Sequence, residues 1–127
     1  MRKPLWLVIF LAFSYLGASA QYTVKVIIDQ MPATHPSDTL FLAGDYNGWT
    51  PNDYNSMFLK DAASGKPTMT AQNVPANSYS VKVTRGSTAS TECTLDGKPI
   101  APRTVTISSD TTLHITVAGW SDDFPKN

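Results

Sequence analysis

Beyond its first twenty residues this chain has no window in which apolar side chains recur at helical spacing; alternation of period two recurs instead. A chain without an apolar helical stripe has to bury its core through paired strands. In 22–29, Val24, Val26 and Ile28 alternate with Thr23 and Lys25, and only Ile27 breaks the pattern. Segment 38–44 holds the run Leu40-Phe41-Leu42, which predicts a central strand covered on both sides. In 78–85, Tyr79, Val81 and Val83 face opposite to Ser80, Lys82 and Thr84; 103–107 and 111–117 repeat the theme, and 56–60 and 68–73 are weaker candidates. Asn47-Gly48, Ser64-Gly65 and Asp96-Gly97 supply turn residues that tolerate positive φ, Pro75 and Pro99 break runs, and Ser109-Asp110 separates the last two strands. About seven short strands in roughly a hundred residues predict an all-β fold, an immunoglobulin-like antiparallel β-sandwich, with a small barrel as the alternative.

The first residues read as an address. Arg2 and Lys3 precede an apolar stretch at 5–16, and Ala18-Ser19-Ala20 offers the small side chains that a signal peptidase accepts. Residues 1–20 are therefore expected to be a signal peptide cleaved before Gln21, and the protein to be exported, periplasmic or extracellular. The apolar run is shorter than the roughly 20 residues of a membrane-spanning helix, so no span is expected in the mature chain. A lipid anchor would need a cysteine at the cleavage point, and the single cysteine is Cys93. Cleavage leaves 107 of the 127 residues, room for one modest domain, and removes two of ten basic residues against ten acidic ones, a net charge of −2. The remaining basic residues are scattered among acids, which excludes a nucleic acid held by phosphate neutralisation. One cysteine forms no intrachain disulfide, so the core alone has to hold the fold, and Cys93 reads as a small core filler.

Little in the chain supports catalysis. No G-x-S-x-G elbow occurs after the leader, His35 sits in the proline-flanked loop Met31-Pro32-Ala33-Thr34-His35-Pro36, and His114 falls on the solvent side of its strand. The two histidines are 79 positions apart, with no H-x-x-x-H or C-x-x-C spacing for zinc. Asp45-Tyr46-Asn47-Gly48 lacks the spaced acidic ligands of a calcium loop. Carboxylate pairs for glycoside hydrolysis are set by the fold rather than by spacing, but these acids lie mostly beside Gly, Asn or Ser, as turn and surface residues do. The expectation is a protein that is not an enzyme and uses no cofactor or metal.

One segment is chemically distinctive. Gly44-Asp45-Tyr46-Asn47-Gly48-Trp49 ends a buried strand in a tight turn carrying two aromatic rings, with Asn52, Asp53 and Tyr54 just beyond. Rings exposed on a rigid turn can stack on the C–H face of a sugar while amides and a lysine bond its hydroxyls. Equally, Trp49 could fold inward as a plug at the end of the sandwich; the residues leave both readings open.

The order of segments resembles a known family. Leu40-Phe41-Leu42-Ala43-Gly44-Asp45-Tyr46-Asn47-Gly48-Trp49, then Tyr79-Ser80-Val81-Lys82-Val83-Thr84-Arg85-Gly86-Ser87, Arg103, and Val117-Ala118-Gly119-Trp120-Ser121-Asp122 resemble the starch-binding domains of carbohydrate-binding module family 20 and related glycogen-recognition modules, above all the version placed before esterase-like hydrolase domains in secreted bacterial proteins. The resemblance spans nearly all of 21–120, with 121–127 as a polar tail. It implies an immunoglobulin-like sandwich that binds α-glucan of the starch or glycogen type without cleaving it. Trp49 matches a tryptophan that stacks on glucose and Lys82 a lysine that bonds its hydroxyls; Tyr46, Asn47 and Tyr54 complete the expected carbohydrate-binding set. Where a second tryptophan is expected the chain reads Thr88-Ala89-Ser90-Thr91-Glu92-Cys93, and Pro102 stands at an expected asparagine. The alternative function is a structural or protein-interaction sandwich that has lost the sugar site and whose partner is a separately encoded secreted protein.

Overall fold

The computed structural model describes residues 20–125; apart from Ala20 the expected leader lies outside the described residues, as do Lys126 and Asn127 of the tail. Nine strands follow one another among the described residues: β1 (Gln21–Gln30), β2 (Phe41–Gly44), β3 (Leu59–Lys60), β4 (Pro67–Pro75), β5 (Asn77–Thr84), β6 (Glu92–Cys93), β7 (Arg103–Ile107), β8 (Thr111–Thr116) and β9 (Gly119–Trp120). Among the described residues the helical content is limited to single 3₁₀ turns, and none of these helices is long and apolar enough to cross a membrane.

The alternation seen in the sequence becomes burial. Val24, Val26 and Ile28 of β1 are buried while Thr23 and Lys25 are exposed, and Val81 and Val83 of β5 are buried on the side away from Lys82. One sheet has the order β3-β4-β1-β8, the other β2-β5-β7, and β6 and β9 form a short ladder of their own. Val26, Ile28 and Ile115 from the first sheet share one apolar cluster with Leu42, Val83 and Ile107 from the second, so the fold is all-β and sandwich-like. Each such side chain, fully removed from water, contributes about 1.5–3 kcal/mol. Chain crossings are abrupt: a single residue, Ala76, separates β4 in one sheet from β5 in the other, and residues 108–110 carry the chain back from β7 to β8. Asp110 holds that second corner by accepting a hydrogen bond from the Thr23 amide at 2.9 Å.

Three features depart from the sequence expectation. β1 runs parallel to β8, pairing Val26 with Leu113 and Ile28 with Ile115, although the other ladders are antiparallel. Period two reports which face a residue occupies and is blind to strand direction; the intervening chain supplies the long connection that a parallel pair needs. β2 is buried throughout yet ends its sheet rather than lying in the middle: Phe41 bridges to Met57 and carries the Tyr54 ring edge-on at 5.6 Å, so a loop supplies the second cover. β6 and β9 have two residues each, too few to display a period. Cys93 on β6 is buried, as a core filler should be.

Candidate functional site

The turn that follows β2 is fixed by backbone geometry before any side chain acts on a ligand. A Cβ on Gly44 would lie 2.6 Å from the Ser80 carbonyl oxygen, so only glycine lets β2 approach β5 at this point. The chain then makes one 3₁₀ turn, Asp45–Asn47, passes through Gly48 at φ 68°, and returns so that the Trp49 amide donates to the Gly44 carbonyl at 2.8 Å. Trp49 itself has φ 59°, in the left-handed region where a non-glycine residue costs about 1–2 kcal/mol. Asn47 holds the turn from inside: its Oδ1 accepts from the Gly44 amide at 3.0 Å and its Nδ2 donates to Asp53 Oδ2 at 3.0 Å and to the Leu42 carbonyl at 3.3 Å. The Asn47 hydrogen bond, followed by those from the Asn55 amide and Ser56, holds the Asp53 carboxyl below its ordinary pKa.

The five residues expected at the site separate into groups. Trp49 is 41% exposed and shares a cleft of about 310 Å³ with Lys82, which projects outward from β5 opposite Ala43. Tyr46 turns the other way. Its hydroxyl donates to the Leu42 carbonyl at 3.0 Å and lies 2.7 Å from Ser56 Oγ, and its ring meets Tyr79 edge-on. Burial pushes the Tyr46 phenol above its ordinary pKa. Tyr46 and Asn47 line a second, apolar cleft of about 360 Å³ that opens between the sheets among Val24, Leu42, Met69 and Val105. Tyr54 is 75% exposed against Phe41 and lines neither cleft.

The rest of the Trp49 cleft includes residues of the 88–93 segment, where the resemblance expected a second tryptophan. Thr88 enters it from the 3₁₀ turn Thr88–Ser90, which Ser87 caps by accepting from the Ser90 amide, and Thr91 from the residue just after that turn; Ser121 comes from the segment that follows β9. Beneath them lies Glu92, its side chain only 1% exposed, accepting from the Val83 amide at 2.8 Å and from the Arg103 guanidinium. Arg103 reaches on to the Thr116 carbonyl at 3.0 Å. A buried carboxylate survives in this position because a cation and a backbone N–H both serve it. Pairing of Glu92 with Arg103 is a contact across the fold, so no local spacing announces it.

Trp120, the other tryptophan of the described residues, is wholly buried, with the Arg85 guanidinium 5.4 Å from its ring centroid. Arg85 bonds both oxygens of Asp122 and also Asp38. His35 Nε2 lies 2.6 Å from Asp123 Oδ1, whose other oxygen accepts from Thr34 at 2.6 Å; these two bonds, Thr34 first, hold Asp123 below its ordinary pKa. His35, Asp122 and Asp123 present ligand atoms within 4.8 Å of one another, the geometry of a possible cation site, but the hydrogen bonds with Arg85 and Thr34 already use both carboxylates. His114 is exposed as expected and pairs with Asp29 at 3.0 Å.

No protein-family model matches this chain, and no curated protein matches it.

Proposed function

We propose that the protein is an exported, non-catalytic carbohydrate-binding module, an immunoglobulin-like β-sandwich whose sugar site is the Trp49–Lys82 cleft. The observation that carries this reading is the strained, half-exposed Trp49 placed beside Lys82. Strained non-glycine backbone persists where the surroundings enforce it and is concentrated at functional sites. An indole held on a rigid turn offers a flat apolar surface, Lys82 offers three donors, and Thr88, Thr91 and Ser121 add hydroxyls that both donate and accept. Stacking on one ring contributes about 0.5–1.5 kcal/mol beyond the area it buries, so a single-tryptophan site is a weak one suited to polymers that present many copies of the same unit. The family resemblance makes starch- or glycogen-type α-glucan the first polymer to test. Electrophoresis through gels containing starch or glycogen should retard the wild type and leave Trp49→Ala migrating with an inert control; equal mobility of all three rejects the proposal.

The second reading, a protein-interaction or structural domain, is favoured by the missing second aromatic at 88–93 and by Pro102. It expects a pull-down from the secretory compartment to recover a protein partner with no glucan retention. Neither reading includes turnover, and the purified protein should leave ester and glucan substrates at background.

A further inference from the structure

We infer that the Trp49 cleft prefers a sugar unit bearing an acid group, a carboxylate or phosphate ester seated on Lys82, over a neutral one; this rests on the carbohydrate reading above. Among the described residues the Lys82 ammonium has no hydrogen-bond or ion-pair partner, as is also true of Lys60 and Lys98 but not of Lys66, Arg85 and Arg103, which are bonded to carboxylates; of these cations Lys82 alone lines the Trp49 cleft. The only carboxylate lining this cleft, Glu92, is buried and already accepts from Val83 and Arg103, so the pair beneath the cleft is neutral and Lys82 supplies its net charge. A neutral sugar hydroxyl meets the Lys82 ammonium only as an uncharged acceptor. An acid group brings acceptors only, and an ammonium carries three donors and no acceptor. Charge-assisted bonds of this kind are about twice as strong as neutral ones. The chain as a whole gives anions no general attraction, since its ten basic side chains are matched by ten acidic ones. Any preference should therefore be local to this cleft.

The test compares maltoheptaose with the same oligosaccharide oxidised at C6, so that each oxidised unit differs only by a carboxylate, in titrations at low and moderate salt. The oxidised ligand is expected to bind the wild type about tenfold more tightly, with the advantage shrinking as salt rises. Lys82→Met should erase that advantage and Lys82→Arg keep it, while Trp49→Ala weakens both ligands and Lys25→Met, on the outer face of the other sheet, changes neither. Equal affinity for the two ligands, or an advantage that survives Lys82→Met, overturns the inference and leaves the carbohydrate reading standing. Failure of the wild type to bind either ligand, with the fold intact by circular dichroism, overturns both.

Discussion

Replacing Arg103 with methionine tests the buried pair under the cleft. Glu92 is 1% exposed at its side chain and Arg103 26%, so the carboxylate is the desolvated partner. Arg103→Met removes the cation and leaves Glu92 with only the Val83 amide. An orphaned buried charge of this kind costs about 3–5 kcal/mol, out of a total stability on the order of 5–15 kcal/mol for a domain. At roughly 4–8 °C per kcal/mol for a domain of about a hundred residues, the midpoint should drop by at least about 12 °C. Glu92→Gln keeps an acceptor for Val83 and leaves a guanidinium that can reach water, so its cost is about 1–2 kcal/mol. The double variant Glu92→Gln/Arg103→Met orphans no charge and should recover most of the Arg103→Met loss, a coupling that a double-mutant cycle measures. Urea unfolding followed by the fluorescence of buried Trp120 reads all four proteins. If Arg103→Met costs less than about 1 kcal/mol, or the double variant is no more stable than it, Glu92 is not held as a desolvated anion and the assignment of the cleft's charge to Lys82 loses its basis.

At position 49 the backbone predicts an unusual order: Trp49→Gly should be more stable than Trp49→Ala by about 1 kcal/mol, because glycine alone adopts φ 59° without strain, and equal urea midpoints would refute the strain. Tyr46→Phe removes the hydroxyl that bonds Leu42 and Ser56 and should cost about 1 kcal/mol of stability with glycan affinity unchanged; a binding loss in titrations would put Tyr46 back in the site. Acid should weaken the turn. Asp53 has a folded pKa below its ordinary 3.8, so the stability it contributes is full above about pH 4 and is lost as pH falls further; Asp53→Asn should flatten that acid limb, and identical pH slopes in urea melts would count against it.

The placement of side chains on one face or the other was legible because period two states it directly. Val24, Val26 and Ile28 face inward and Lys82 outward, as the alternation requires. Pairing direction is not carried by that signal, which is why the parallel contact of β1 with β8 came only with the structure. Nor does an apolar run reveal what covers it: Leu40-Phe41-Leu42 reads the same whether the second cover is a strand or, as here, the Tyr54 loop.

The candidate site divides in the same way. Trp49 stood out as a ring on the Asn-Gly turn that could face out or plug the sandwich, and Lys82 through the family resemblance, with strand alternation turning it outward. Tyr46 and Asn47 lie in the same six-residue turn but line the other cleft, since the chain leaves the 3₁₀ turn through two left-handed residues, Gly48 and Trp49, that reverse its course before the indole. The resemblance set 88–93 where a second tryptophan is expected and included Arg103 and Ser121, but nothing in it announced the Glu92–Arg103 pair beneath the cleft. A strand pattern can thus say which way a lysine points, while the charge it meets there depends on a carboxylate and an arginine that only tertiary packing brings together. On this account the ligand preference of the cleft is a property of the packed sheets: altering Arg103, which does not line the cleft, should change the affinity for an anionic sugar as surely as altering Lys82, which does.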